Sequence, residues 1–226
     1  MTLRCRMSPM GGGINEEYNP YYPDQVIINY AGAGSSDTVN IYTGVYALTM
    51  VGGGGGSAIA TAAGAWHFGA GGGGAAWIDT EFFLPTGVYT YSVGGGGGGS
   101  LTQANSYGGA GSGSLLKCTD VGVDIATSGG GGGYAMVNGA ISYYGTASGG
   151  AAGVCSITGV SQYGTSYGNG NTGGTIAGVN NDYQSTGNRN GYAGYGVGGE
   201  GHTGPYIGAN GGGGGVIHLV FKRRTW

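Results

Sequence analysis

The chain has 226 residues, a formal net charge of −3 and 60 glycines, and only 8% of its side chains are charged. Seven Lys and Arg residues argue against nucleic acid as a main partner. Five prolines and no G-X-Y period exclude collagen. Eighteen tyrosines, three tryptophans and four phenylalanines supply apolar surface that a disordered glycine-rich tract lacks.

Residues 1–25 are expected to form an extended N-terminal arm, with Pro20 and Pro23 restricting the residues before them. Residues 26–226 are expected to form a single glycine-rich domain. Val26–Tyr30, Thr38–Tyr42 and Val45–Val51 are short β-branched or aromatic runs, so they predict strands. Glycines 52–56 follow, and Ala58–Ala65 is small enough to line a packed bundle. Trp66, His67 and Phe68 then stand between glycines. Ala75–Phe83 alternates, with Trp77, Asp79 and Glu81 on one side and Ile78 and Phe82 on the other. Thr86-Gly87 marks a tight turn, and Val88–Val93 feeds the six glycines 94–99. Val121–Ala126 predicts a further strand, and glycines 129–133 lead into Tyr134–Val137. From 138 to 210 Tyr, Asn, Ser, Thr and Gly dominate, which predicts a loop-rich insertion. Gly211–Phe221 returns as glycines leading into a last strand. No amphipathic helix pattern is evident, so the expected class is mainly β with little or no α-helix.

The stretch Leu84–Gly99 (LPTGVYTYSVGGGGGG) states the organising problem, because an apolar strand runs straight into glycine. Glycine has no side chain to bury, and fixing each backbone costs about 1–2 kcal/mol. Flexible linkers are usually Gly/Ser mixtures, whereas these runs are nearly pure and abut strands. The alternative is an ordered extended helix of about 3 residues per turn, in which six residues span roughly 19 Å. Such a helix makes no internal hydrogen bonds, so several runs must satisfy one another. The expected fold is therefore short β-strands flanking a packed bundle of polyglycine II helices, sandwich-like, with long irregular loops. Gly52, Gly72, Gly96, Gly131 and Gly213 represent the runs expected to be structural. Run starts at 52, 71, 94, 129 and 211 have no fixed period, which argues against a solenoid.

Apparent catalytic motifs carry little weight. G-x-G-x-x-G is matched in many places at this glycine content, but the strand–loop–helix context is missing. Lys117 and Lys222 follow Leu116 and Phe221, so there is no P-loop. Gly164–Gly168 fits G-x-S-x-G but lies in the Tyr/Asn-rich region rather than after a buried strand. His67, His202 and His218 are scattered, and Asp79/Glu81 and Asp120/Asp124 suit solvated strand faces. No catalytic residue, metal site or cofactor is expected, and the chain is read as not an enzyme. Cys5, Cys118 and Cys155 form no C-x-x-C, and a Cys118–Cys155 pair stays open. No apolar stretch is long enough for a transmembrane helix, so no membrane insertion is expected. The N-terminus lacks an apolar h-region, so no signal peptide is expected.

Tyrosine offers large rigid contact area at low entropy cost, while Ser, Gly and Asn adapt their hydrogen bonding. Tyr89, Tyr91 and Tyr134 adjoin glycine runs and are expected to cover them. Trp66, His67, Phe68, Tyr163, Tyr167, Tyr183, Tyr192 and Tyr195 are the candidates for contact with a ligand.

The succession VGGGGG, GAGGGGAAW, LPTGVYTYSVGGGGGG, YGGAGSGS, SGGGGGY and GGGGGVIHLVF resembles the glycine-rich domains of phage tail proteins. It looks like the polyglycine sandwich of tail-fibre tip adhesins in T-even-type phages, over residues 45–221. In that family polyglycine helices pack as a bundle whose end loops touch the bacterial surface. The resemblance implies a virion-located adhesin with receptor-contact loops around 60–68, 100–107 and 157–207. Implied partners are a host surface glycan or protein. Other virion proteins would be met through the N-terminal arm and the basic C-terminus, where Lys222, Arg223 and Arg224 cluster. A trimer and one copy on a trimeric fibre both stay open. The alternatives are a structural virion component (decoration, baseplate or fibre linker) and an ice-binding or extracellular glycine-rich protein.

Overall fold

The computed structural model describes residues 19–32, 34–61, 67–102, 105–137, 145–148, 150–164, 167–168, 196 and 211–225, with backbone alone at 67–69, 137, 145–148 and 167–168. Among these residues the regular structure is all β. In chain order the strands are β1 (Val26–Gly32), β2 (Ser36–Ile41), β3 (Gly44–Val51), β4 (Ala58–Thr61), β5 (His67–Ala70) and β6 (Trp77–Leu84). Then come β7 (Gly87–Ser92), β8 (Ser100–Thr102), β9 (Asn105–Tyr107), β10 (Ser114–Cys118), β11 (Val123–Thr127) and β12 (Tyr134–Val137). The last are β13 (Gly145–Ser148), β14 (Cys155–Thr158), β15 (Ser161–Tyr163), β16 (Tyr167–Gly168) and β17 (Gly215–Arg223). β11 begins at Val123, later than the expected Val121, because Thr119–Gly122 forms a turn. It is closed by the Gly122 N–H donating to the Thr119 carbonyl.

The described chain forms three layers, two of strands and one of glycine runs between them. The lower layer is a sandwich of two sheets, ordered β1-β17-β3-β6-β15 (with β16 also on β6) and β14-β11-β10-β7-β2. Its core follows period-two alternation. Along β6 the residues from Trp77 to Leu84 are half-buried and buried in strict turn. Tyr46, Leu48 and Met50 of β3, Ile217, Leu219 and Phe221 of β17, and Ile78 and Phe82 of β6 meet Tyr89, Leu116 and Ile125 of the facing sheet. Burying each large side chain stabilises by about 1.5–3 kcal/mol. The upper layer is two small sheets, β13-β12-β9 and β5-β4-β8, joined through the small buried residues Ala58, Ala60, Ser106 and Ala135.

Between the layers lie the glycine runs, and the chain crosses this middle layer repeatedly. Gly52–Gly56 climbs from β3 to β4, residues 71–76 descend from β5 to β6, and 94–99 climb from β7 to β8. Residues 108–113 descend to β10, 129–133 climb from β11 to β12, 150–154 descend to β14, and 211–214 descend to β17.

Run 52–56 is the axis. Gly53 and Gly56 donate to the carbonyls of Ser112 and Gly109, Gly54 to Gly213 and Gly55 to Gly73, each at 2.8 Å. The Gly53 and Gly56 carbonyls accept from Gly130 and Gly133, and the Gly54 carbonyl from Gly97. The same neighbour thus returns every third residue, matching the roughly 3 residues per turn of an extended glycine helix. The surrounding runs bond in turn to each other: 108–113 to 94–99 and 129–133, 129–133 to 71–76, and 94–99 to 211–215. Gly196 closes the ring, donating to Gly214 and accepting from Ala75, both at 2.8 Å. Run 150–154 packs outside, with Gly150 donating to Gly71 and Gly153 to Gly74. Gly52, Gly72, Gly96, Gly131 and Gly213 all lie in this layer. A methyl on Gly53, Gly55 or Gly56 would overlap a carbonyl of a neighbouring run, so only glycine permits the approach.

Register is kept through all layers. β3 and β6 pair Gly44 with Leu84, the bundle pairs Gly55 with Gly73, and β4 and β5 pair Ala58 with Ala70, with no slipped residue. The same holds from Cys118↔Val123 through the Gly111–Gly130 bond to Tyr134↔Tyr107.

Two corners fix the sandwich. Thr-Gly-Val-Tyr occurs at 43–46 and again at 86–89. The Thr43 N–H donates to Thr86 Oγ1 (2.8 Å) and the Thr86 N–H to Thr43 Oγ1 (3.1 Å). The Tyr46 hydroxyl donates to the Tyr42 carbonyl (2.5 Å) and the Tyr89 hydroxyl to the Pro85 carbonyl (3.0 Å). Burial pushes both phenols well above their ordinary range. Cys118 and Cys155 stand opposite Val123 and Thr127, at opposite ends of β11, and both are free thiols.

Candidate recognition surface

The residues expected to contact a ligand fall in different places. His67 and Phe68 are on β5 in the upper layer. Tyr163 is on β15, opposite Glu81 and against the lower sandwich. Its carbonyl accepts from Thr80 Oγ1 (2.5 Å), and the Arg223 guanidinium lies 5.8 Å from its ring centroid. Arg223 also pairs with Glu81 at 2.9 Å. Tyr163 therefore belongs to an ion-pair and aromatic cluster on the outer face of the six-stranded sheet. Tyr167, on β16, stands opposite Ile78, nearer the bundle. The structure does not bring Tyr163 together with His67 and Phe68. Trp66, Tyr183, Tyr192 and Tyr195 lie outside the described residues. Of the tyrosines expected to cover glycine, Tyr89 is buried in the sandwich core instead, and Tyr91 packs against it.

Charge divides the molecule. The described charged residues Asp24, Asp37, Asp79, Glu81, Lys117, Asp120, Asp124, Lys222, Arg223 and Arg224 all belong to the lower sandwich and its turns. The described bundle and upper sheets hold no Asp, Glu, Lys or Arg. That upper end nonetheless exposes large apolar groups, Leu101 on β8 and Tyr107 on β9. The part of loop 100–107 that the structure describes is here, and so are the described residues of loop 60–68. Tyr107 closes the expected contact loop 100–107 but is not among the residues singled out from the sequence. Its signal was a tyrosine directly before run 108–113, mirrored by Tyr134 directly after run 129–133.

The opposite end gathers residues 19–25 and 221–225. Asn19 Nδ2 donates to the Thr43 carbonyl (3.0 Å), and Arg224 donates to the Asn19 carbonyl (2.7 Å). Tyr21 meets Tyr42 edge to face at 5.4 Å and Phe221 at 6.1 Å. Lys222 is bonded to Asp24. A groove of about 620 Å³ opens here, lined by Tyr21, Tyr22, Pro23, Phe221, Arg223 and Arg224. The last residues of the expected arm are thus laid on the chain's own sheets.

Among the described residues no three His, Cys, Asp or Glu side chains converge to hold a metal. Ser166, the centre of the G-x-S-x-G match, lies outside the described residues. No family model matches the chain, and no curated protein matches it.

Proposed function

We propose that the protein is a virion-associated adhesin of a phage tail or tail fibre, non-enzymatic and cofactor-free. It meets the host surface with its upper end and the particle with its lower end. The observation that carries this reading is the division of charge. Among the described residues, arginines, ion pairs and an aromatic groove gather at one end, and an end without charged side chains lies across the glycine bundle. Loops borne on a rigid scaffold have the form of binding loops.

A structural virion component is the second reading, favoured by the Tyr21–Arg224 groove, which suits a neighbouring protein. One experiment separates the two. Purified full-length protein is tested for competition with the particle for host cells, and for incorporation into particles. Tyr107→Ser, at the upper end, is expected to cost cell binding and spare incorporation. Arg223→Ala/Arg224→Ala is expected to cost incorporation and spare cell binding. If the wild-type chain never occupies cells yet incorporation depends on the arginines, the structural reading replaces the adhesin.

A further inference from the structure

The outer face of the upper sheet β9–β12–β13 carries an aromatic pair. Tyr107 and Tyr134 stand opposite each other in the ladder, with ring centroids 4.7 Å apart and planes inclined by 32°. One face of Tyr107 is packed on Tyr134, yet the residue is 65% exposed. Alternation along β9 buries Ser106 and turns Asn105 and Tyr107 outward together. Asn105 is two residues along the ladder on the same side of β9, opposite Met136, and is itself exposed.

The pairing follows from the bundle. Gly108 donates to Gly133 (2.8 Å) and Gly111 to Gly130 (2.9 Å), and this register continues without a slip into Tyr107↔Tyr134. The ring is therefore positioned by the register of the hydrogen-bonded runs and packed on its neighbour with no ligand present. A preordered aromatic ring loses little conformational freedom on binding. Its open face suits the C–H side of a sugar ring, and an amide beside it offers both a donor and an acceptor for hydroxyl groups. An anionic sugar would need a cation, and the described upper layer has no Lys or Arg.

We infer that Tyr107, held by Tyr134, and Asn105 form a subsite for a neutral sugar residue of a surface glycan. This rests on the adhesin reading and names the ligand chemistry at one place on that end.

The test uses the full-length chain on an array of neutral and anionic oligosaccharides, with host-cell binding measured in parallel. Neutral sugars are expected to be retained, with affinity unchanged between about 50 and about 500 mM salt, since no screened charge pair is involved. Tyr107→Ser and Asn105→Ala are each expected to weaken retention by about tenfold or more. Tyr107→Trp is expected to keep it, and thermal midpoints are expected to stay within the range of exposed-site substitutions. Undiminished retention by Tyr107→Ser, or retention of anionic sugars alone, would overturn the subsite. Cell binding without any sugar retention would mean a protein receptor, removing the subsite and leaving the adhesin reading in place. Binding to neither cells nor sugars would remove both.

Discussion

At the scale of single residues, the glycines are not interchangeable. A methyl at Gly96 would overlap the Gly212 carbonyl, whereas Gly98, two residues on in the same run, has nothing within 4 Å of that position. The carbonyl is backbone of run 211–214, which is bonded to run 94–99 just before β17, so it cannot swing aside as a side-chain tip would. Gly96→Ala is therefore expected to destabilise by about 1–3 kcal/mol or more through overpacking. Gly98→Ala is expected to be neutral, or to stabilise by about 0.4–1 kcal/mol, because alanine restricts the unfolded chain. Denaturant unfolding of the two variants checks this. Equal midpoints for both would mean that the run is not packed against 211–215. Composition points to the runs, but it cannot tell these two positions apart. Two glycines of one run carry no side-chain information, and the difference arises only from which neighbour each Cα faces.

At the scale of elements, the sandwich is fastened at the repeated Thr-Gly-Val-Tyr corners. The hydroxyls of Thr43 and Thr86 lie 3.0 Å apart, and each accepts the other residue's backbone N–H. Thr43→Val and Thr86→Val each strip the acceptor from a part-buried N–H, so each is expected to cost about 1–3 kcal/mol. A double-mutant cycle on thermal stability is expected to show coupling of about 0.5–3 kcal/mol. Additive losses would mean that the two corners act independently. Strands such as β6 and β17 were legible beforehand because alternation of apolar residues reports directly on a half-buried sheet. The corner contact was less so. Its two threonines are 43 residues apart, and only the repeated tetrapeptide hinted that they share a role. The Tyr107–Tyr134 pair was hidden for a different reason. It depends on runs 108–113 and 129–133 being neighbours, and glycine has no side chain with which to advertise a neighbour.

At the scale of the whole molecule, the bundle cannot stabilise itself. Each backbone hydrogen bond contributes about 0.5–1.5 kcal/mol net, while fixing each residue costs about 1–2 kcal/mol. Weak Cα–H contacts of about 0.5–1 kcal/mol each bring these terms only near balance. The apolar sandwich below must therefore hold the runs in place, and each climbing or descending run is covalently continuous with a strand of that sandwich. Register passes unbroken from Gly44↔Leu84 through Gly55 and Gly73 to Ala58↔Ala70. Removing one residue from the axial run, as in deletion of Gly54, leaves no arrangement that satisfies both ends. If β3 keeps its register, β4 slips by one against β5 and β8, and every side chain of β4 changes face. If β4 keeps its place, the Gly53 and Gly56 bonds to Ser112, Gly109, Gly130 and Gly133 cannot all form. The deletion is expected to abolish cooperative folding or to lower the thermal midpoint steeply. In the intact protein, amide exchange at 53–56 is expected to be as slow as in β3, since both open only with global unfolding. A deletion variant with an unchanged midpoint, together with free-peptide exchange rates at 53–56, would show that the runs are linkers and that the three layers are not one folding unit.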